Sequence, residues 1–323
     1  MAMKRRIILA GGSGFLGQSL ARRFLSQGDE VVVLTRHPQA GRVVREAAWD
    51  GATLGPWTAE LEGADAVINL AGRSVDCRYH ARNRRLIWDS RMDSTRVLGE
   101  AIAACTRPPR VWLNSSTATI YRHSLDRPMD EAGEIAATPE AKDAFSVEVA
   151  QAWERTLEAA RTPATRKVAL RTAMVLGADG GVFPVLRRLT RLGLGGALAG
   201  GGQYVSWIYE DDFFRAVEWL RVRADISGPV NLVAPEPVPN RELMRSLREA
   251  CGVPFGLPAT RWMLEIGAVV RRTETELILK SRRVVPGRLL DQGFVFRHPV
   301  LADALRELAR TTSPARRPTP LTP

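Results

Sequence analysis

Seven residues near the amino terminus, Gly11-Gly12-Ser13-Gly14-Phe15-Leu16-Gly17, limit the fold more than any other stretch of the chain. They follow the short apolar run Ile7-Ile8-Leu9-Ala10 and set glycines in the spacing G-x-x-G-x-x-G. Glycine is needed where backbone must turn tightly, approach a pyrophosphate, or let a helix pack against a strand. The first turn of the following helix leaves amides unpaired at the positive end of its macrodipole, so a diphosphate can sit there without a dedicated lysine. The turn predicts a dinucleotide site with Gly11, Gly14, Phe15, Leu16 and Gly17 among its contacts. Side chains at Gly11 or Gly14 would block that approach.

The flanking pattern agrees. Leu16, Leu20, Phe24 and Leu25 fall on one face of a helix expected from Phe15 to about Gln27, and Val31-Val32-Val33-Leu34 reads as a buried parallel strand. A site built for NAD presents an acid to the adenosine ribose about 20 residues beyond the glycines. Thr35-Arg36 stands after that strand instead. A guanidinium there pairs with the 2′-phosphate of NADP, which a carboxylate would repel, so the expected cofactor is NADP rather than NAD.

Farther along, Ala64 to Gly72 reads as a buried strand ending in the small residues Leu70-Ala71-Gly72, where a cofactor can pass close to backbone. A long helix is expected near Ala81 to Ala104, a strand at Arg110 to Thr117 ending in hydroxyls, a helix at Phe145 to Ala160 and a strand at Val168 to Thr172. Strictly alternating strands and helices predict an α/β fold, a Rossmann-type doubly wound parallel sheet with ligands beyond the carboxyl ends of its strands.

The 323 residues, 45% hydrophobic and 25% charged, exclude disordered and fibrous classes. The net charge of +11 is spread along the chain, without a basic-aromatic platform, so no nucleic-acid partner is expected. Cys77, Cys105 and Cys251 and the four histidines are scattered, which predicts neither a disulfide framework nor a metal site. The uncharged segment Leu192 to Tyr209 contains six glycines and reads as a loop, not a membrane span. The expected location is cytoplasmic.

The glycine turn, Val67-Ile68-Asn69-Leu70-Ala71-Gly72, Ser115-Ser116-Thr117-Ala118-Thr119-Ile120-Tyr121, Arg171 to Gly177 and Ser206 to Asp212 together resemble the extended short-chain dehydrogenase/reductases. Leu192 to Gly196 and Val284 to Phe296 further resemble an atypical subgroup labelled epimerase family or NAD-dependent epimerase/dehydratase, sometimes cell-division inhibitor. The resemblance covers roughly residues 5 to 310. It implies hydride transfer between nicotinamide and an oxygen-bearing carbon, with a tyrosine moving the proton, a lysine four residues later lowering its pKa, and a serine or threonine holding the substrate oxygen.

The chain departs from that pattern. Thr117 keeps the hydroxyl position, but Phe145 and Val149 stand where Tyr-x-x-x-Lys is expected, and neither moves a proton. Asn83, Leu125, Ile208 and Phe213 follow Tyr79, Tyr121, Tyr204 and Tyr209 by four residues, so no displaced pair exists. The candidate catalytic residues are therefore Thr117 and Tyr121, the phenol serving better as a donor in reduction than as a base at neutral pH. Arg91 and Thr172 complete the expected cofactor contacts, Arg91 through the subgroup resemblance.

The expected domains are a Rossmann domain at 1–190, rejoined by 203–232, and a smaller, mostly helical substrate side at 191–202 and 233–310. The glycine-rich stretch Gly193 to Gly202 reads as a lid, Trp262, Met263, Leu264 and Ile266 as packing residues, and 311–323 as a disordered tail. Two functions fit: an NADP(H)-dependent oxidoreductase or epimerase-like enzyme on a small oxygenated substrate, or an NADP-binding sensor acting through a partner. A homodimer stays open. The retained hydroxyl and the lid-like loop favour the enzyme.

Overall fold

The computed structural model describes residues 5–39, 41, 43–271 and 274–311. Most of the expected tail, 312–323, lies outside them. In chain order the elements are β1 (Arg6–Ala10), α1 (Phe15–Ser26), β2 (Glu30–Thr35), β3 (Arg45–Ala48), β4 (Ala66–Asn69), α2 (Ala81–Ala103), β5 (Val111–Thr117), α3 (Ala144–Ala159) and β6 (Arg166–Thr172). There follow β7 (Met174–Leu176), α4 (Phe183–Arg191), β8 (Tyr204–Val205), β9 (Trp207–Tyr209), α5 (Glu210–Val222) and β10 (Gly228–Leu232). The chain continues through β11 (Val238–Pro239), α6 (Asn240–Cys251), α7 (Arg261–Arg271), α8 (Glu276–Leu279), α9 (Gly287–Asp291) and α10 (Leu301–Thr311).

Seven parallel strands form the central sheet in the order β10-β6-β5-β4-β1-β2-β3. Strand side chains alternate between its faces. Ile7, Leu9, Val31, Val33 and Ile68 pack with Leu20 and Phe24 of α1 and Phe213 and Val217 of α5. Ile8, Val32, Leu34, Val67 and Trp112 pack on the other side with Val97 and Leu98 of α2 and Leu157 of α3. Two covered faces explain why these strands are apolar throughout rather than alternating. Strand β1 pairs with β2 on one side and β4 on the other, so the chain reverses its winding at the carboxyl end of β1 and opens a crevice there.

Beyond the sheet, α6 and α10 share an apolar core with β9 through Leu243, Met244, Leu247, Leu301, Leu305 and Trp207. Asn240 is the first residue of α6, and its Oδ1 accepts from the Leu198 amide at 2.9 Å. The expectation that Trp262, Met263 and Ile266 are packing residues is corrected, since all three are exposed on α7. A helical period of apolar residues marks a face without saying that this chain covers it.

Candidate functional site

The glycine turn sits at the reversal point. Gly11 has φ +72°, and a Cβ there would lie 2.6 Å from the Ala71 Cα, so this position is glycine because two backbones meet. A Cβ on Gly17 would lie 2.4 Å from the Gly12 Cα, which lets α1 start against the turn. Gly14 faces open space. The expected reason for Gly11 is therefore revised: close approach to Ala71 demands it, and the open side needed by a diphosphate is at Gly14.

Helix α1 begins at Gly14 with no capping side chain and no acid in its first turn. Its first backbone bond runs from the Gln18 amide to the Gly14 carbonyl at 2.9 Å, so the amides of Phe15, Leu16 and Gly17 point past the helix end. The side chains turn elsewhere. The Phe15 ring occupies space that Cβ atoms on Gly177 and Gly180 would fill, and Leu16 packs against the core. Both residues offer the site their backbone. At the end of β2 Thr35 is buried, whereas Arg36 is exposed and makes no ion pair among the described residues.

A cavity of about 240 Å³ opens beside this turn. Leu70, Ala71 and Gly72 form one wall, and Ser115, Ser116 and Thr117 at the end of β5 form the next. The first wall is held from behind: buried Asn69 accepts from the Ala71 amide at 3.0 Å and donates to Asn114 at 2.7 Å, while Trp153 donates to Thr95 in the same cluster at 2.9 Å. Thr117 Oγ1 accepts from the Thr119 amide at 3.1 Å. Thr172 stands opposite Thr117 in the β5–β6 register but does not line the cavity, and its hydroxyl donates to the Leu170 carbonyl at 3.2 Å.

Arg91 does line it. Its guanidinium lies against Gly72 and over the Trp153 ring at 5.0 Å, and donates to the carbonyls of Ile87 and Arg73. It has no carboxylate partner among the described residues, and burial draws its pKa down to about 10, against a raising effect of Tyr79. A half-buried cation with no carboxylate partner among the described residues, set beside a backbone wall, suits an anionic or oxygen-rich ligand.

Tyr121 is corrected: it is not at this cavity. The residue is 1% exposed, its hydroxyl donates to Asn231 Oδ1 at 2.8 Å and accepts from Arg171 at 2.7 Å. Burial pushes the phenol up to about 12, with Arg171 and Asn231 pulling the other way. Arg171 in turn forms two bonds to Glu154, at 2.8 and 2.7 Å, and Glu154 accepts from Ser116 at 2.6 Å. The phenol is part of a buried network joining β5, β6, β10 and α3, with no donor left for a substrate.

Phe145 and Val149 line the cavity at the positions where the tyrosine and lysine were sought. Two residues that the sequence did not single out stand with them: Tyr79, from the segment before α2, and Glu276, from α8. The Tyr79 ring meets Phe145 edge to face, and the Ser146 hydroxyl donates to Glu276 Oε2 at 2.9 Å. Glu274 holds this side closed by accepting from the Tyr79 amide at 2.7 Å. The stretch expected as a lid lies apart from this wall. Gly193, Gly196, Ala197 and Ala199 exchange backbone bonds with Leu257 and Ala259, and Ala199, Gly200 and Gly202 line a separate cleft with His123 and Tyr204.

Residues 7–232 match the NAD dependent epimerase/dehydratase family, and residues 259–308 match a domain of unknown function, DUF1731. The chain is 31% identical over 309 residues to the epimerase family protein SDR39U1 of Bos taurus, covering 94% of this chain and 99% of that one. It is 29% identical over 311 residues to the epimerase family protein YfhF of Bacillus subtilis, covering 94% and 97%. Among solved structures, human SDR39U1 with NADPH superposes with a TM-score of 0.82 at 28% identity, covering 94% of this chain and 99% of that chain. With its glycine turn at the strand reversal and this breadth of match, the chain belongs to the NAD dependent epimerase/dehydratase family.

Proposed function

We propose that the protein binds NADP(H) along the glycine turn and acts as an oxidoreductase or epimerase-like enzyme on a small oxygenated substrate in the adjoining cavity. The observation that carries this reading is the uncapped start of α1, with three outward amides and an open face at Gly14. The amides of Phe15, Leu16 and Gly17 would hold the diphosphate, the Leu70-Ala71-Gly72 backbone would flank the ribose and nicotinamide, and Arg36 would pair with the 2′-phosphate. When bound, the nucleotide supplies or removes a hydride. Thr117 would orient the substrate oxygen. The human relative crystallised with NADPH supports the choice of NADP.

A direct test is thermal unfolding of nucleotide-free protein titrated with NADPH and with NADH. Stabilisation by both, with NADPH effective at lower concentration, is expected. Absence of any shift overturns the reading. Phe145 and Val149 at the cavity favour a second reading, a nucleotide-dependent sensor without turnover. Oxidation of NADPH with a panel of carbonyl compounds separates the two.

A further inference from the structure

We propose that Tyr79, Ser146 and Glu276 form a proton relay that does at this cavity what Phe145 and Val149 have no groups to do. The proposal rests on the nucleotide reading above. Its starting point is placement: all three residues line the cavity that holds Thr117, and they come from three different segments, before α2, within α3 and at the start of α8. The Tyr79 ring packs against Phe145 with 5.3 Å between centroids, so a phenol is carried back to the wall where the expected tyrosine is missing.

Hydrogen bonding gives the cluster a direction. The Ser146 hydroxyl donates to Glu276 Oε2 at 2.9 Å, and the Tyr79 ring packs on Phe145, the residue before Ser146 in α3, at the same cavity wall. Glu276 is 5% exposed and its second oxygen, Oε1, is buried with no partner. A carboxylate in this state is costly unless something donates to it, or unless it takes up a proton. Its place at the cavity supplies a reason to keep it.

The charged surroundings are mixed. Around Tyr79 stand Glu276, Cys77 and Arg91, and around Glu276 stand Arg282, Lys280 and Asp143. Burial raises Tyr79 to about 12 and raises Glu276 above the ordinary carboxylate range, although Ser146, Arg282 and Lys280 oppose the latter shift. Tyr79 is thus a neutral phenol, suited to passing a proton along rather than holding a negative charge.

A substrate alcohol loses its carbon-bound hydrogen with both electrons, NADP⁺ being the oxidant, and a carbonyl forms. Its hydroxyl proton passes to the Tyr79 oxygen while the Tyr79 proton passes to Ser146 Oγ and the Ser146 proton to the Glu276 carboxylate. Glu276 ends protonated. Reduction of a carbonyl by NADPH runs the same chain backwards, with protonated Glu276 as the source.

The experiment uses the four tyrosines of the full chain replaced by 3-fluorotyrosine, whose phenol titrates at lower pH, and ¹⁹F NMR. The signal lost in Tyr79→Phe identifies Tyr79. In Glu276→Gln its titration midpoint should fall by on the order of one pH unit, because a nearby negative charge is gone. An unchanged midpoint overturns the relay. The kinetic arm follows NADPH with 4-nitrobenzaldehyde: Tyr79→Phe should lower kcat by about 10²–10⁴-fold with KM and NADPH affinity retained, and Glu276→Gln should flatten the pH profile. A Tyr79→Phe protein with wild-type kcat overturns the proposal even if the NMR coupling is seen. Failure of the wild type to bind NADPH would overturn the nucleotide reading instead, and the ¹⁹F result judges the relay separately.

Discussion

Tyr79 and Phe145 meet edge to face, 5.3 Å apart between centroids and 67° between ring planes, while the Arg84 guanidinium lies over the Phe145 ring at 5.0 Å. One aromatic residue on α3 therefore fixes the segment before α2 against the cavity wall. Phe145→Ala should remove both contacts. A loss of about 1–3 kcal/mol is expected from the aromatic pair together with the lost burial, read by urea unfolding with the slope unchanged.

In the proposed NADP(H) site Arg36 would control the choice of nucleotide. It is exposed beyond β2, and no carboxylate among the described residues pairs with its guanidinium. Arg36→Glu should weaken NADPH by about 10–100-fold, the value of one or two charge-assisted hydrogen bonds plus repulsion. NADH should be little affected. Fluorescence titration of the two nucleotides against both proteins checks this, and an equal loss for both would place Arg36 elsewhere than at the 2′-phosphate.

Tyr121 behaves as structure. Removing its hydroxyl leaves Asn231 Oδ1 and one Arg171 donor short of a partner in a buried network. Tyr121→Phe should therefore lower stability by about 1–3 kcal/mol and leave NADPH affinity unchanged. Paired unfolding and binding measurements on the same preparation decide it.

What could be read from the chain beforehand follows from where the physics is local. The Gly11–Gly17 turn was legible because left-handed backbone at Gly11 and contact between Gly17 and Gly12 leave few alternatives to glycine. The sheet was legible because its strands, apolar on both faces, alternate with amphipathic helices. The cavity was legible on the side made by consecutive residues, 70–72 and 115–117. Its far side was not. Tyr79 lies in an irregular segment and Glu276 in a four-residue helix, and no spacing in the sequence says that they meet across Ser146. Tyr121 misled for the converse reason: the serine-rich motif placed it near Thr117 along the chain, yet the backbone turns its side chain inward to Asn231.

Lys280 and Asp143 form a fully buried ion pair at 2.5 Å, joining the segment after α8 to the start of α3. Burial lowers the Lys280 pKa, and Asp143 opposes that shift. Lys280→Met would strand a carboxylate in the interior and should cost about 3–5 kcal/mol, a large part of a typical domain's stability. Adding Asp143→Asn should recover much of the loss. A double-mutant cycle by chemical denaturation tests it; additive losses would mean that the pair is not coupled.

Glu276 sets a pH dependence of known sign. Its folded-state pKa lies above the ordinary value, chiefly through burial, while Ser146, Arg282 and Lys280 oppose. A group raised in this way contributes fully below its unfolded pKa, where it is neutral in both states, and that contribution fades as pH climbs through the folded value. Glutamine stays neutral throughout. The Tm of Glu276→Gln should therefore match wild type near pH 4 and exceed it increasingly toward about pH 8, because the wild type then carries an ionised carboxylate with one unpartnered oxygen. Thermal unfolding followed by circular dichroism across that range checks the sign. A wild type more stable than the variant at pH 8 would show that Arg282 and Lys280 hold the carboxylate more strongly than burial disfavours it.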